Sequence, residues 1–376
     1  MDLDGLSQPH RRLMLVLLQH GPLRRRELAR RMGLSGGSIT RLTRPLEEKG
    51  LVVATSTRVN RKGRPVHVLD AALPADTVLG VSLTATAVRV VRTDLRARTT
   101  ADVAGTLPVA PAAPGEPTVP PEAVVARVQE LVASLPPGGH DVGVGVGASG
   151  TVRGGTLARS PFLRWHNVAL APLVEQALGL PCSLANDVAA VALAEAWFGV
   201  GKTADSFLAL TLGTGVGGAA VVRGVVQDAE AHGVGLLSRL PVVWPDGSVR
   251  RAGTSLSDAG LVSLARWYGS GATGADEVEH LAGQGEPGAR RAAREYAYAA
   301  GALTATGAAF LVPDAVVVLG ERSGVVGSFR EDFDAGVASV REVIAPGLEV
   351  TVRPHDRGTW ARGAAMTALV RHVTAG

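Results

Sequence analysis

The first 72 residues most constrain the fold, because three short helical segments are followed there by two strand-like runs. The helical segments cover residues 9–20, 24–32 and 35–49, with Gly-Pro or glycine at their ends. The runs LVVATS and PVHVLD flank RVNRKGR, a turn rich in arginine. Three helices and a β-hairpin predict a winged helix-turn-helix over residues 1–72.

The outward face of the third helix is the surface that we expect to contact a binding partner. Ser35 is a good N-cap for this helix, and Ile39, Leu42 and Leu46 are spaced to form its inward face. Pro45 removes a backbone hydrogen bond, so we expect the helix to bend there. The outward face would then hold Gly36, Gly37, Ser38, Thr40, Arg41 and Arg44.

Positive charge is concentrated in this segment. Residues 1–70 contain 14 Arg and Lys against 6 Asp and Glu, whereas the rest contains 24 against 28. Local basicity indicates a partner with phosphates, although a solvated basic face or a winged helix used for protein contacts remains an alternative. On DNA, Arg41 and Arg44 would reach guanine edges or phosphates, while Ser38 and Thr40 allow close approach. The basic residues of the turn would reach phosphates or a neighbouring minor groove, and they are Arg58, Arg61, Lys62 and Arg64.

The sequence after the winged helix has the alternating pattern of an α/β protein. Strand-like and helical segments alternate from residue 78 to the C-terminus, and they predict two lobes, 78–198 and 199–376, with the C-terminal helix completing the first lobe. Residues 287–311, 327–343 and 357–371 are predicted helices. LEVTV is a predicted strand.

Two short motifs could bind a small ligand. In LGTGVGG, residues 212–218, the backbone of Gly213, Thr214 and Gly215 could approach a phosphate, but a tight β-turn explains the glycines equally well. Asn186 and Asp187 follow a strand and precede a helix, where an acid could act as a general base or bind a hydroxyl. A simple helix N-cap is the alternative.

Four segments together resemble the ROK family of repressors, open reading frames and sugar kinases: GVGVGASGTV at 143, SPFLRWHNVAL at 160, LANDVAAVALAEAWFG at 184 and LTLGTGVGGAAVVRGVV at 210. The preceding GLSGGSITRLTRPLEEKGLV and the GRP of the turn look like the family's repressor branch, which includes the xylose repressor. The resemblance implies a two-lobed actin/hexokinase-like domain behind the winged helix. It also implies that Asn186 contacts a sugar and that Asp187 matches the family's catalytic aspartate.

Several positions depart from the kinase pattern that the resemblance implies. Ser82 stands at the aspartate of the first phosphate loop, and Leu236 and Arg239 stand at the sugar-binding glutamate and zinc-binding histidine. WPDGSVRRAGTSLS replaces the cysteine-rich zinc loop. We therefore expect no enzymatic activity, no cofactor and no metal.

These features predict a homodimeric repressor that binds a palindromic double-stranded DNA operator and senses a sugar or sugar derivative. A sugar kinase that also regulates, and a ligand-independent DNA-binding scaffold, are the alternatives. One cysteine, the absence of a signal-peptide pattern and the absence of an 18-residue apolar window predict a cytoplasmic location without membrane contact.

Overall fold

The structure is a computed structural model that describes residues 5–57, 66–73, 75–109, 119–227, 237–342 and 347–374. The chain divides into two compact units. Unit 1 contains residues 1–194 and 360–376, and unit 2 contains residues 195–359. No helix within the described ranges is long and apolar enough to cross a membrane.

Unit 1 begins with the predicted three helices and hairpin. Their bounds are α1 Gln8–His20, α2 Arg25–Met32, α3 Gly36–Glu48, β1 Val52–Thr57 and β2 Val66–Ala71. β1 and β2 are antiparallel, and a bridge between Leu23 and Leu69 ties the hairpin to the segment before α2. Leu13, Met14, Leu17, Leu28, Ile39 and Leu46 are buried between these elements. The winged helix-turn-helix is thus present.

The rest of unit 1 is built on a five-stranded sheet of order β10-β6-β3-β4-β5. β10, β6 and β3 are parallel, and β4 and β5 continue the sheet antiparallel. The elements of this part are β3 Asp76–Leu83, β4 Ala87–Asp94, β5 Thr99–Thr106, α4 Pro121–Ser134, β6 His140–Ala148, β7 Thr151–Arg153, β8 Thr156–Ser160, β9 Trp165–Val168, α5 Leu170–Leu178, β10 Cys182–Asn186 and α6 Asp187–Phe198.

Unit 2 contains the second five-stranded sheet, of order β13-β12-β11-β16-β17. Its central strands are apolar on both faces, and helices rich in alanine cover them. The strands of this sheet are β11 Phe207–Leu212, β12 Val216–Val222, β13 Val225–Val226, β16 Ala315–Leu319 and β17 Val350–Val352. Strands β14 Pro241–Val243 and β15 Val249–Arg251 form a separate two-stranded sheet. The helices are α7 Ala252–Ser255, α8 Asp258–Trp267, α9 Ala275–Gly283, α10 Pro287–Leu311, α11 Ser323–Ser328 and α12 Arg330–Val340.

The C-terminal helix, α13 Thr359–Thr374, returns to unit 1 and lies directly on its sheet. A Cβ built on Gly80 of β3 would be 1.9 Å from the carbonyl oxygen of Ala361, and one on Gly145 of β6 would be 1.8 Å from that of Ala364. Any residue with a Cβ would clash at these distances, so only glycine fits at the two positions. The two glycines therefore allow the helix to approach the strands closely.

Several predicted elements differ in detail. The helix expected over 327–343 is two helices, α11 and α12, which meet at Phe329. LEVTV contributes only Val350–Val352 to the sheet. Helix α3 continues through Pro45 as one element to Glu48, and Pro45 is exposed.

Candidate functional site

Helix α3 begins with a side-chain cap. The Ser35 Oγ accepts a hydrogen bond from the backbone N–H of Ser38 at 3.2 Å, and the two hydroxyl oxygens are 3.0 Å apart. The cap satisfies one of the otherwise unpaired N–H groups of the first turn. The first turn of the helix, which would approach DNA, is therefore fixed by its own serines.

The outward face of α3 is the predicted one. Gly36, Gly37, Thr40, Arg41 and Arg44 are exposed, and Ser38 is half-buried. Arg44 is paired with Glu48 at 2.9 Å, yet 79% of its side chain remains exposed.

The inward face of α3 corrects one expectation. Thr43, not Leu42, is fully buried between Ile39 and Leu46, while Leu42 is only half-buried. The Thr43 hydroxyl donates to the Thr40 carbonyl oxygen at 3.3 Å, so a polar residue is tolerated inside the domain.

Helix α2 adds basic residues that the sequence reasoning did not select. Arg24, Arg26 and Arg30 are exposed at its start and middle. In a helix-turn-helix, the helix before the reading helix crosses the phosphate backbone. The sequence signal for these residues is the run RRRELARR, because three consecutive arginines favour a phosphate contact. The basic residues of the wing, Arg58, Arg61, Lys62 and Arg64, lie outside the described residues.

Two polar contacts attach the winged helix to the rest of unit 1. The Arg11 guanidinium, on a residue that is only 6% exposed, donates to the carbonyl oxygen of Val373 in α13 at 3.1 Å. Arg96, in the turn after β4, forms an ion pair with Asp70 of β2. Among the described residues, the contacts that hold the winged helix therefore include one to the C-terminal helix.

The structure places Asn186 and Asp187 at the carboxyl end of β10, where α6 begins. The Asn186 Oδ1 accepts from the backbone N–H groups of Val188 at 3.0 Å and Ala189 at 3.2 Å, and its Nδ2 donates to the Gly150 carbonyl at 3.0 Å. The Asp187 Oδ1 accepts from Val188 N–H at 2.8 Å. Both side chains act as helix caps, and both stay half-buried.

Ser82 and Asp187 both lie beside Gly147. Ser82 is paired with Gly147 across β3 and β6 and is 8% exposed, and a Cβ built on Gly147 would be 3.8 Å from the Asp187 Cα. The structure thus brings the predicted substitute for the phosphate-loop aspartate close to the predicted catalytic position. Thr84, just beyond Ser82, organises the β3–β4 turn by accepting from Ala87 N–H at 3.0 Å.

In unit 2, carboxylates surround the glycine-rich turn between β11 and β12. A Cβ built on Gly213 would lie 2.0 Å from a carboxylate oxygen of Glu321. The Asp258 backbone N–H donates to the Gly213 carbonyl at 2.8 Å. Negative charge beside the turn disfavours a phosphate there.

A buried arginine joins Asp258 to two further carboxylates. Arg322 has a side chain that is 6% exposed, and it pairs with Asp258 at 3.0 Å, with Glu279 at 2.9 Å and with Asp276. Burial raises the pKa of Asp258 and of Glu279 above their usual values, and Arg322 opposes that increase in both. One arginine thus compensates several carboxylates, and the turn is fixed by contacts within the protein.

Among the described residues, no group of three or more His, Cys, Asp or Glu side chains is arranged to hold a metal ion. Burial raises the pKa of the Cys182 thiol to about 12, with Glu175 adding to the increase. This thiol therefore stays protonated and is a poor metal ligand or nucleophile.

Comparison with known proteins identifies relatives for both parts of the chain. The ROK family model matches residues 84–235, and a MarR family model matches residues 4–63. A glucokinase from Streptomyces coelicolor is 31% identical over 225 residues, which are 53% of this chain and 71% of that protein. A putative xylose repressor from Caldicellulosiruptor sp. is 23% identical over 260 residues, 67% of this chain and 64% of the relative.

A crystal structure described as a ROK family transcriptional regulator, homologous to the E. coli MLC protein, aligns with 97% of this chain and 95% of its own at a TM-score of 0.72 and 20% identity. The alignment confirms the predicted fold, a winged helix followed by the two-lobed domain. The chain spans 64% of the length of the putative repressor and 43% of that of a glucokinase from Thermotoga maritima.

Proposed function

The chain belongs to the ROK family, and from this premise we propose that it is a DNA-binding transcriptional regulator of the repressor type. The observation that carries the proposal is the exposed, serine-capped start of α3, with Thr40 and Arg41 outward and Ile39 buried. A helix presented in this way fits the major groove. The MarR-type winged helix and the repressors among the relatives support the same function.

In this proposal two copies of the chain bind a palindromic operator. The reading helices of a dimer contact half-sites about 34 Å apart, one turn of DNA, or a multiple of that distance. Arg41 would contact a base edge or phosphate, and Arg24, Arg26 and Arg30 of α2 would contact phosphates. A regulator of chromosomal DNA would work in the cytoplasm.

Fluorescence anisotropy with the DNA that flanks the chain's own gene tests the proposal. We expect sequence-dependent binding that weakens as salt rises, because bound arginines release counterions. Replacing Arg41 by alanine should weaken specific binding by about 1–3 kcal/mol, whereas Arg153→Ala, at an exposed residue at the end of β7, should not change it. Equal affinity for operator and random DNA would contradict the proposal.

We further propose that the two-lobed domain senses a sugar or sugar derivative at the carboxyl ends of β10, β6 and β3, near Asp187. In α/β sheets, ligands bind beyond the carboxyl ends of parallel strands. Thermal-shift measurements with a panel of sugars test this step, because a ligand that binds only the folded protein raises its melting temperature. A domain that serves only as a scaffold would show no such shift.

Glucokinase relatives make a sugar kinase the second candidate. Two features argue against it: Ser82 supplies no carboxylate to organise magnesium, and Glu321 and Asp258 place negative charge at the turn that would hold phosphates. A kinase would transfer phosphate from ATP to a hexose and would lose that activity in Asp187→Ala. We expect no ATP-dependent phosphorylation by the wild-type protein.

A further inference from the structure

A groove of about 440 Å³ lies on unit 2, along the first turns of α10. Three arginines of this helix line it, together with acidic and phenolic side chains: Arg290, Arg291, Arg294, Glu295, Tyr298 and Asp332. None of its lining residues belongs to the glycine-rich turn or to the winged helix. Its volume is within the usual range of small-molecule sites, about 300–1,000 Å³.

Two of the arginines lie near aromatic rings. The Arg291 guanidinium lies 4.2 Å from the centre of the Tyr268 ring, and that of Arg290 lies 5.8 Å from the Phe329 ring. A guanidinium presents its N–H donors in its own plane and can bind an anion with two oxygens, and a ring at contact distance, as for Arg291, restricts how the side chain moves. Stacking also reduces the side-chain entropy that binding would otherwise cost.

The two acids of the groove are already paired. The Glu295 carboxylate accepts from the Tyr268 hydroxyl at 2.8 Å and from Arg291 Nε at 3.2 Å. Asp332 is paired with Arg294 at 3.0 Å. Within the described part of the chain, Arg290 has no acidic partner, and its charge is left for a ligand.

We propose that this groove binds a small phosphorylated molecule. Arg290 and Arg294 lie one helical turn apart on the same face and would share the phosphate oxygens. The acceptor oxygens of Glu295 and Asp332 and the hydroxyl of Tyr298 suit the hydroxyl groups of an attached polyol or sugar. The volume leaves room for such a group beside the phosphate.

Titration calorimetry of the full chain with glucose 6-phosphate, inorganic phosphate and glucose tests the proposal. We expect glucose 6-phosphate to bind more tightly than phosphate, and glucose to show no binding that depends on Arg290. Arg290→Gln should weaken glucose 6-phosphate binding at least about tenfold. Arg290→Lys should weaken it less, because lysine keeps the positive charge but not the two parallel N–H donors of the guanidinium. Arg153→Gln in unit 1 is the control and should bind as the wild type does.

Circular dichroism melts of each variant establish that it is folded. The proposal is overturned if the wild type binds neither phosphate probe, if phosphate alone binds as tightly as glucose 6-phosphate, or if Arg290→Gln binds normally. Operator binding should be unchanged in Arg290→Gln. If Arg290→Gln loses affinity for DNA, the groove contacts the DNA backbone and the proposed small-molecule site is overturned. If the wild-type protein does not bind DNA, that result contradicts only the proposal that the chain is a transcriptional regulator.

Discussion

Replacing Gly145 by alanine should destabilise unit 1, because the added methyl group would meet the backbone of α13. A Cβ at this position would be 1.8 Å from the Ala364 carbonyl oxygen and 2.7 Å from the Thr367 hydroxyl. Cβ atoms in proteins essentially never lie within 3.0 Å of a non-bonded heavy atom, so the helix must retreat by more than about 1 Å. The obstacle is backbone rather than a flexible side chain.

Overpacking of this kind costs about 1–3 kcal/mol, and the absence of a flexible neighbour places Gly145→Ala toward the upper end. At about 2–4 °C per kcal/mol for a unit of this size, the melting temperature should fall by about 4–12 °C. Differential scanning calorimetry is the assay, since it also reveals whether the two units melt together.

Gly143→Ala is the matched control on the same strand. Its Cβ would be 3.3 Å from the Pro181 carbonyl oxygen and 3.7 Å from the Ala368 Cβ, distances that small shifts can accommodate. We expect a change within about 1 kcal/mol in this variant. Equal melting temperatures for the alanine variants at Gly143 and Gly145 would refute the close contact between strand and helix.

Three further changes have defined outcomes. Arg322→Gln should lower the free energy of unfolding by about 3 kcal/mol in urea titrations, because it leaves several partly buried carboxylates without their cation; a loss below about 1 kcal/mol would contradict that view. Ser35→Ala should cost about 1 kcal/mol through the lost cap and should weaken operator binding, whereas the exposed Ser263→Ala should do neither. Burial lowers the pKa of His372, and Arg11 and His140 add to the decrease. As the pH drops below about 6.5, the unfolded chain therefore binds a proton at this imidazole that the folded protein does not bind, and the free energy of unfolding should fall. In His372→Gln the free energy of unfolding should fall less over the same pH range.

Local signals made the winged helix predictable. Its helices are short and separated by glycines, the third begins at a serine cap, and each signal acts within a few residues. The exception is Leu42, which the sequence pattern places on the inward face: the buried stripe of α3 runs instead through Ile39, Thr43 and Leu46 at i, i+4 and i+7. A threonine can occupy that stripe because its hydroxyl bonds to the preceding turn, which a hydrophobicity pattern does not record.

The glycine-rich turn shows why ligand sites are harder to predict. Its sequence indicates close backbone approach but does not identify the approaching group, and here a carboxylate from Glu321, more than a hundred residues later, lies against Gly213. Asp258, whose backbone N–H donates to the Gly213 carbonyl, is likewise distant in sequence. A phosphate site and an internal acidic contact have the same glycine pattern, and only the long-range packing distinguishes them.

The choice between a helix cap and a ligand contact at Asn186 and Asp187 is not exclusive, and it determines which substitution is informative. Removing the Asn186 amide would break the cap on Val188 and Ala189 and the bond to Gly150, so a lost effector response in Asn186→Ala would reflect damage to α6. Asp187→Asn keeps an oxygen acceptor for the Val188 N–H and removes only the charge. An effector-dependent thermal shift that disappears in Asp187→Asn, with the unliganded melting temperature unchanged, would therefore assign the carboxylate to the ligand, because the helix cap is common to both proteins.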